Sequence, residues 1–166
     1  MQDDAANNTR PGGGHSSFNN TTWSGVRELA HTSHTHVEES GTLQRILVVE
    51  DDVSLANLEA DMLSAHGYVV SIATSGETAI IALQQEIPDL LLLDLDLSGV
   101  TTGWDVLKVL RRHSGAPVLL TSAEAAIRRS LRMQGEPRST LDHLPKPYPL
   151  QALLKRIERM LAITSQ

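Results

Sequence analysis

Three short apolar runs of this chain end in residue types suited to phosphate chemistry. If those runs are strands of a parallel α/β sheet, their carboxyl ends meet at one edge of the sheet, where ligands bind. Carboxylates gathered there would hold a hard divalent cation, one of them can act as a nucleophile, and a lysine would neutralise charge on a transferring phosphoryl group. The residues concerned are Glu50, Asp51 and Asp52 after residues 46–49, Asp94 after residues 90–93, and Lys146 after a short stretch from residue 142.

The elements that must position these residues follow from the hydrophobic pattern. From residue 43 onward, short apolar runs alternate with amphipathic stretches, which is typical of βαβ units and a parallel sheet. We expect a flavodoxin-like, doubly wound α/β fold with five parallel strands in the order 2-1-3-4-5 and five helices. The predicted strands cover residues 45–49, 68–73, 89–93, 117–120 and 140–144, and the fourth predicted helix covers about 124–134.

Apolar spacing also predicts which faces are buried. Leu55, Leu58, Met62 and Leu63 recur at helical intervals and predict the inner face of the first helix. Ser75 is the expected N-cap of the second helix. The third strand, residues 89–93, is apolar on both faces and is therefore expected at the centre of the sheet.

Composition limits the chain to a few classes of protein. With 166 residues, of which 40% are hydrophobic, it can build one domain with a proper core but not a second full domain. The lack of cysteine excludes disulfides, thiolate catalysis and Cys-ligated metal centres. Neither a membrane span nor a signal peptide is recognisable, so we expect a cytoplasmic protein.

Charge is distributed unevenly within the net charge of −6. Residues 43–107 carry Arg45 alone against eleven acidic residues, whereas residues 108–166 carry eleven basic residues against four acidic ones. The basic half is interpreted either as solvated helix faces or as a protein-docking surface. Direct nucleic-acid binding is not expected, because no helix-turn-helix pattern accompanies these charges.

The first 42 residues differ in composition from the rest. They are rich in Asn, Gly, Ser, Thr and His and show no sustained apolar period, so we predict a disordered N-terminal tail over 1–42 and a single domain over 43–166. A short helix over 24–30 is only weakly indicated. His31, His34 and His36 are interpreted as solvated side chains rather than metal ligands.

Taken together, four motifs resemble those of the receiver domain of two-component response regulators. They are residues 46–52 (ILVVEDD), 88–94 (PDLLLLD), 117–123 (PVLLTSA) and 142–148 (DHLPKPY). Each motif alone is weak, but their order and separations together are specific. The resemblance covers about residues 44–163.

The resemblance implies a role for each charged residue at the strand ends. Asp94 would be the phosphoacceptor, attacking a phosphohistidine to give an acyl phosphate. Glu50, Asp51 and Asp94, with the backbone carbonyl of Asp96, would hold Mg²⁺, and Lys146 would pair with the phosphoryl group. Asp94 directly ends the leucine run, whereas Asp96 lies further into the loop, so Asp94 is also the better fixed nucleophile.

Two further roles come from the same resemblance. The family has Ser or Thr at the end of the fourth strand, which implies Ser122, with Thr121 as the less favoured candidate. His143 occupies the family's switch position, which is usually aromatic. A half-buried histidine at a sheet edge is an equally acceptable interpretation of His143.

The loop after Asp94 departs from the family pattern. Ser98 stands where the family usually has proline, and Gly103 lies nine residues after Asp94 where eight is usual. A less rigid loop is therefore expected. The departure bears on the rate of phosphotransfer and leaves Asp94 as the nucleophile that the resemblance implies.

The leading functional hypothesis is a phosphorylation-controlled signalling module rather than an enzyme. Its donor would be a sensor histidine kinase or a histidine phosphotransfer protein, and its output a downstream protein or a homodimer through the face of the fourth helix, fifth strand and fifth helix. Because the sequence stops after the fifth helix, we expect a stand-alone regulator, a relay intermediate or part of a longer protein. The alternatives are a flavodoxin-like cofactor-binding protein and an Asp-nucleophile phosphohydrolase.

Overall fold

A computed structural model of the protein describes residues 27–29, 43–123, 127 and 139–164. Within these residues, six strands form one sheet and four helices are present. The strands are β1 (Arg27–Leu29), β2 (Arg45–Val49), β3 (Val69–Ala73), β4 (Leu90–Asp94), β5 (Val118–Ser122) and β6 (Leu141–Pro145). The helices are α1 (Val53–Ala65), α2 (Gly76–Gln85), α3 (Gly103–His113) and α4 (Leu150–Thr164).

The sheet has the predicted parallel order. Its strands run β1-β3-β2-β4-β5-β6, and every pairing from β3 to β6 is parallel. Numbered from β2 as the first predicted strand, this is the order 2-1-3-4-5, so the flavodoxin-like fold is confirmed. The predicted helix over about 124–134 falls outside the described residues, apart from the buried Ile127. The described helix α4 therefore corresponds to the fifth predicted helix.

Both faces of the sheet are covered by helices, as a doubly wound fold requires. Helices α1 and α4 pack on one face, where Ala60, Leu63 and Ile157 join side chains of the strands. Helices α2 and α3 pack on the other, where Leu83 and Leu110 do the same. Residues 90–93 are at most 1% exposed, which places β4 at the predicted centre. None of the described helices combines the length and apolar character needed to cross a membrane.

The structure corrects the prediction for part of the N-terminal tail. Residues 27–29 form strand β1, which pairs antiparallel with β3 in the register Arg27↔Ile72 to Leu29↔Val70. They are therefore neither disordered nor helical. An open sheet edge offers a row of unpaired backbone groups, and a short segment with weak intrinsic preference adopts the conformation that pairs with it. The other residues of 1–42 lie outside the described part of the chain.

The inner face of α1 agrees with the prediction only in part. Leu58 is 53% exposed, whereas its neighbour Glu59 is 1% exposed. Leu63 is buried as predicted, and the other buried positions of this helix are Ala56 and Ala60. The buried stripe is thus rotated towards small residues, because alanines let the helix approach the sheet closely. It carries a carboxyl group into the core.

Side chains cap the N-termini of α1, α2 and α3. Ser75 caps α2 in a reciprocal capping box with Thr78, as predicted. Thr102 and Asp105 form the same arrangement at α3. Asp52 caps α1, its Oδ1 accepting hydrogen bonds from the Ser54 and Leu55 amides. One of the three consecutive acidic residues is therefore used to start a helix.

We expect removal of residues 1–41 to lower thermal stability, because the edge of β3 loses its partner strand. Each backbone hydrogen bond contributes about 1 kcal/mol, and each kcal/mol shifts Tm by about 2–4 °C in a domain of this size. The control is removal of residues 1–25, which retains β1 and is expected to leave Tm unchanged. Calorimetry of the three chains checks this, and equal Tm values for both truncations would contradict a stabilising role for β1.

Candidate functional site

The ends of β2, β4 and β6 bring acidic and basic side chains to one edge of the sheet. Glu50 follows β2, Asp94 ends β4 and Lys146 follows β6. Backbone hydrogen bonds continue beyond the strands, from the Glu50 amide to Ala73 and from the Lys146 amide to Ser122. The backbone at these positions is therefore held by the sheet itself, which fixes where each side chain starts.

Lys146 joins two buried carboxylates. Its Nζ donates to Glu50 Oε2 and to Asp94 Oδ2, both at 2.7 Å. Glu50 is 3% exposed and Asp94 is 2% exposed, so the two anions share one cation away from bulk water. Burial alone would lower the pKa of Lys146, but its hydrogen bonds to Asp94 and Glu50 outweigh burial and raise that pKa. Lys146 therefore stays charged.

Burial also affects the other carboxyl groups of the site. It raises the pKa of Glu50, against the opposing effect of the hydrogen bond from Lys146. The pKa of Asp51 is lowered, because Ser98 donates to its Oδ2 from both the side-chain hydroxyl and the backbone amide, the latter at 2.8 Å. Asp51 is thus ionised and held in place by the loop that follows Asp94.

The acidic residues form a set of ligands that fits a magnesium ion. One carboxylate oxygen from each of Glu50, Asp51 and Asp94 lies within 4.8 Å of the others. Three carboxylates and the Lys146 ammonium give the site a net charge of −2, which a divalent cation balances. Oxygen-only donors with carboxylate charge are what Mg²⁺ prefers. The side chain of Asp52 is used as a helix cap instead, as described above.

The loop after Asp94 is tied at two further points. The Asp96 amide donates to Asp94 Oδ1 at 2.9 Å, and Asp96 Oδ2 accepts from the Ala123 amide at 2.7 Å. Gly103 approaches Asp94 so closely that a Cβ at this position would overlap the Asp94 carbonyl oxygen. The serine that replaces the family's proline keeps its N–H and uses it on Asp51. The loop that was expected to be less rigid therefore has its own anchors.

Ser122 and His143 lie together behind the carboxylates. Both are buried, at 0% and 3% exposure, and Ser122 Oγ is 3.0 Å from His143 Nε2. The backbone of β6 pairs His143 with Leu120 of β5, which puts the imidazole beside the end of that strand. His143 is thus fully buried rather than half-buried at an edge. It contacts the hydroxyl that the sequence singled out.

Sequence reasoning missed one polar pair next to the site. Tyr148 donates its hydroxyl to Oε1 of the buried Glu59 at 2.5 Å. Glu59 sits in a helix and Tyr148 in a loop, and the two are far apart in sequence. The only sequence signal for this pair was the acidic Glu59 within the apolar pattern of α1. The leucines beside it gave a stronger pattern and determined the predicted inner face.

The family model of the response regulator receiver domain matches residues 46–158. The chain belongs to this family. The predicted family is therefore confirmed, and with it the assignment to two-component signal transduction. The receiver is a phosphoacceptor regulatory module rather than a classical enzyme, receiver domains bind Mg²⁺, and they are partners of histidine kinases.

Individual relatives agree with this assignment. The receiver is 37% identical over 119 residues to the DNA-binding response regulator MtrA of Mycolicibacterium paratuberculosis, which covers 71% of this chain and 51% of that protein. The chain thus spans about half the length of the curated relatives it matches. It also superposes on the CheY-like receiver domain protein of Methanospirillum hungatei, with a TM-score of 0.65, 25% identity and coverage of 75% and 98%. The receiver domain of NtrX from Brucella abortus gives a TM-score of 0.61 at 30% identity, with coverage of 70% and 98%.

We expect Lys146→Met to destabilise the receiver by about 2 kcal/mol or more. Removing one partner of a buried ion pair costs about 3–5 kcal/mol, and the cost is reduced here because the Lys146 side chain is 22% exposed. Millimolar Mg²⁺ should reduce the loss, since a cation replaces the missing charge. Urea unfolding with and without Mg²⁺ measures both effects.

The matched control is Lys108→Met, which breaks an exposed ion pair with Asp105. Exposed pairs contribute about 0–1 kcal/mol, so this variant should unfold almost as the parent does. Equal destabilisation by the two substitutions would show that Lys146 does not compensate buried charge.

Proposed function

We propose that the receiver takes a phosphoryl group onto Asp94 from the phosphohistidine of a histidine kinase or histidine phosphotransfer protein. The phosphorus–nitrogen bond of the donor breaks, a bond forms from phosphorus to an Asp94 carboxylate oxygen, and the donor imidazole leaves. The observation that carries this proposal is the position of Asp94. Its carboxylate is fixed by Lys146 on one oxygen and by the Asp96 amide on the other.

Electrostatics support the same assignment. An anionic donor meets three carboxylates, whose repulsion would oppose its approach. Glu50, Asp51 and Asp94 would hold Mg²⁺, with the Asp96 carbonyl as a further proposed ligand; when bound, the ion neutralises charge on the phosphoryl oxygens. Lys146 would move from Asp94 to the phosphoryl group, because its ammonium is a compact charge on a flexible stem.

Ser122 and His143 are the proposed link to the output. A phosphoryl oxygen on Asp94 would compete with His143 for the Ser122 hydroxyl, and loss of the Ser122–His143 hydrogen bond would change the packing of His143. An exchange of hydrogen-bond partners of this kind can switch a packed element between two arrangements. A partner that prefers one arrangement then gains about 1–3 kcal/mol of coupling.

The proposed output surface includes β6 and α4. Asp142, which is 6% exposed, accepts hydrogen bonds from Arg156 and Arg159 on α4 at 2.5 and 2.6 Å. The neighbouring Lys155 is exposed. The basic residues Arg128, Arg129 and Arg132 of the predicted fourth helix lie outside the described residues. We propose that a protein partner or a second copy of this chain binds at this surface, and not a nucleic acid. We further propose a cytoplasmic location.

Phosphorylation should require Asp94 and Mg²⁺. After incubation with a small phosphodonor and Mg²⁺, intact-mass spectrometry should show one added phosphoryl group on the parent and none on Asp94→Asn. Excess EDTA should abolish labelling, since the clustered carboxylates would then repel the donor. Asp105→Asn, which alters a carboxylate that is 43% exposed at the start of α3, is the control and should label normally. Persistent labelling of Asp94→Asn would overturn the proposal.

Dimerisation or partner binding should respond to phosphorylation through His143. Beryllium fluoride, a phosphoryl mimic, is expected to shift the self-association of the parent, measured by analytical ultracentrifugation, and to shift His143→Ala much less. A Lys108→Ala variant, altered on an exposed face of α3, should respond as the parent does. If the mimic shifts parent and His143→Ala equally, His143 is not the switch; if it shifts neither while occupying Asp94, a relay role is favoured.

A further inference from the structure

A carboxyl group is buried on the helix that faces the lysine loop. Glu59 lies in α1 with 1% exposure, beside the apolar residues Ala56, Ala60 and Leu63. Burying a carboxyl group in such surroundings costs several kcal/mol unless it is hydrogen-bonded. The hydrogen bond it makes is to Tyr148, at 2.5 Å. This arrangement needs a reason beyond packing, because an apolar side chain would fill the same position at lower cost.

Tyr148 is placed to transmit this contact to the site. It follows Lys146 by two residues, and it packs against the core cluster to which α1 and α4 contribute. The hydrogen bond from Tyr148 to Glu59 therefore links α1 to the loop that carries Lys146.

We propose that Glu59 is a positioning residue, which holds Lys146 in reach of Asp94 by fixing Tyr148 in the same loop. This proposal deepens the function proposed above and rests on it. Lys146 itself is 22% exposed and has a flexible side chain. The sheet holds the backbone at Lys146 through its hydrogen bond to Ser122, and the Glu59–Tyr148 hydrogen bond adds a contact from a different element to the residues that follow. Misplacing a catalytic group by about 1 Å can cost roughly a hundredfold in rate.

The ionisation of Glu59 gives this link a sensitivity to pH. Burial raises the pKa of Glu59 to about 7, although the hydrogen bond from Tyr148 opposes the shift. The other charged groups that act on it are Glu50 and Asp94, which raise the pKa, and Lys146, which lowers it. Above this pKa the carboxylate accepts a charge-assisted hydrogen bond; below it, a neutral acid accepts a weaker one. The link is therefore stronger on the alkaline side.

The first test uses phosphorylation of Asp94 by a small phosphodonor in the full chain with Mg²⁺. Tyr148→Phe removes only the hydroxyl, and Glu59→Leu removes the acceptor while leaving an apolar core; each is expected to slow labelling about tenfold, within the range that misplacement allows. Combining the two should slow it no further, because both break one link. Glu59→Gln keeps a neutral acceptor and should restore most of the rate.

A pH profile separates positioning from a general effect on the fold. The ratio of the parent rate to the Glu59→Gln rate should approach one below about pH 6 and rise above about pH 7, since only the parent gains a charged acceptor. Thermal stability of Glu59→Leu should equal or exceed that of the parent. Loss of rate only in variants that are also less stable, or a ratio independent of pH, would overturn the proposal.

The second test does not depend on phosphotransfer. An amine-reactive reagent, applied briefly and read by peptide mass spectrometry, compares Lys146 with the exposed Lys108 in the same molecule. Lys146 should become several-fold more reactive, relative to Lys108, in Tyr148→Phe and Glu59→Leu but not in Glu59→Gln. Unchanged relative reactivity in all variants would refute the positioning role. If reactivity changes as expected while the parent takes no phosphoryl group, the proposed function fails and the positioning of Lys146 stands.

Discussion

The contact of Lys146 with Glu50 and Asp94 is the interaction on which the site depends. It joins residues from the ends of three strands, two of them anions with almost no exposure to water. Two buried carboxylates without a counter-charge would repel each other and would each pay the cost of desolvation. The single ammonium of Lys146 compensates part of this negative charge. Together with Asp51, the three carboxylates and the ammonium carry a net charge of −2. A bound divalent cation would balance this remaining negative charge.

Around this contact, each charged side chain is held by a group from another element. Ser98 holds Asp51, the Ala123 amide holds Asp96, and Glu59 holds Tyr148 in the loop of Lys146. These contacts link the loops after β2, β4, β5 and β6 into one connected edge of the sheet. A displacement of one loop would therefore disturb the hydrogen bonds that hold the others. Ser122 at the end of β5 is joined to His143 of β6 inside the core, which is the contact that the proposed switch would use.

Much of this arrangement could be predicted because it rests on periodicity and on strand ends. Apolar alternation located the five parallel strands, and their order follows from the way βαβ units wind. The carboxyl ends of parallel strands share an edge, so Glu50, Asp94 and Lys146 were expected to meet although they are distant in sequence. The N-cap at Ser75 could be predicted from local sequence, because its hydroxyl accepts a hydrogen bond from the amide three residues later.

The sequence by itself therefore determined the family, the parallel sheet and the residues that converge at its edge, because each depends on short-range patterns or on a general rule of α/β folds. The tertiary structure alone decided the rest. Whether residues 27–29 pair with β3 depends on an edge that exists only after folding. Whether Leu58 or Glu59 faces the core depends on how closely α1 approaches the sheet. The buried Glu59 accepts a hydrogen bond from Tyr148, which lies in a loop distant in sequence. Contacts of this kind are not encoded in any local spacing.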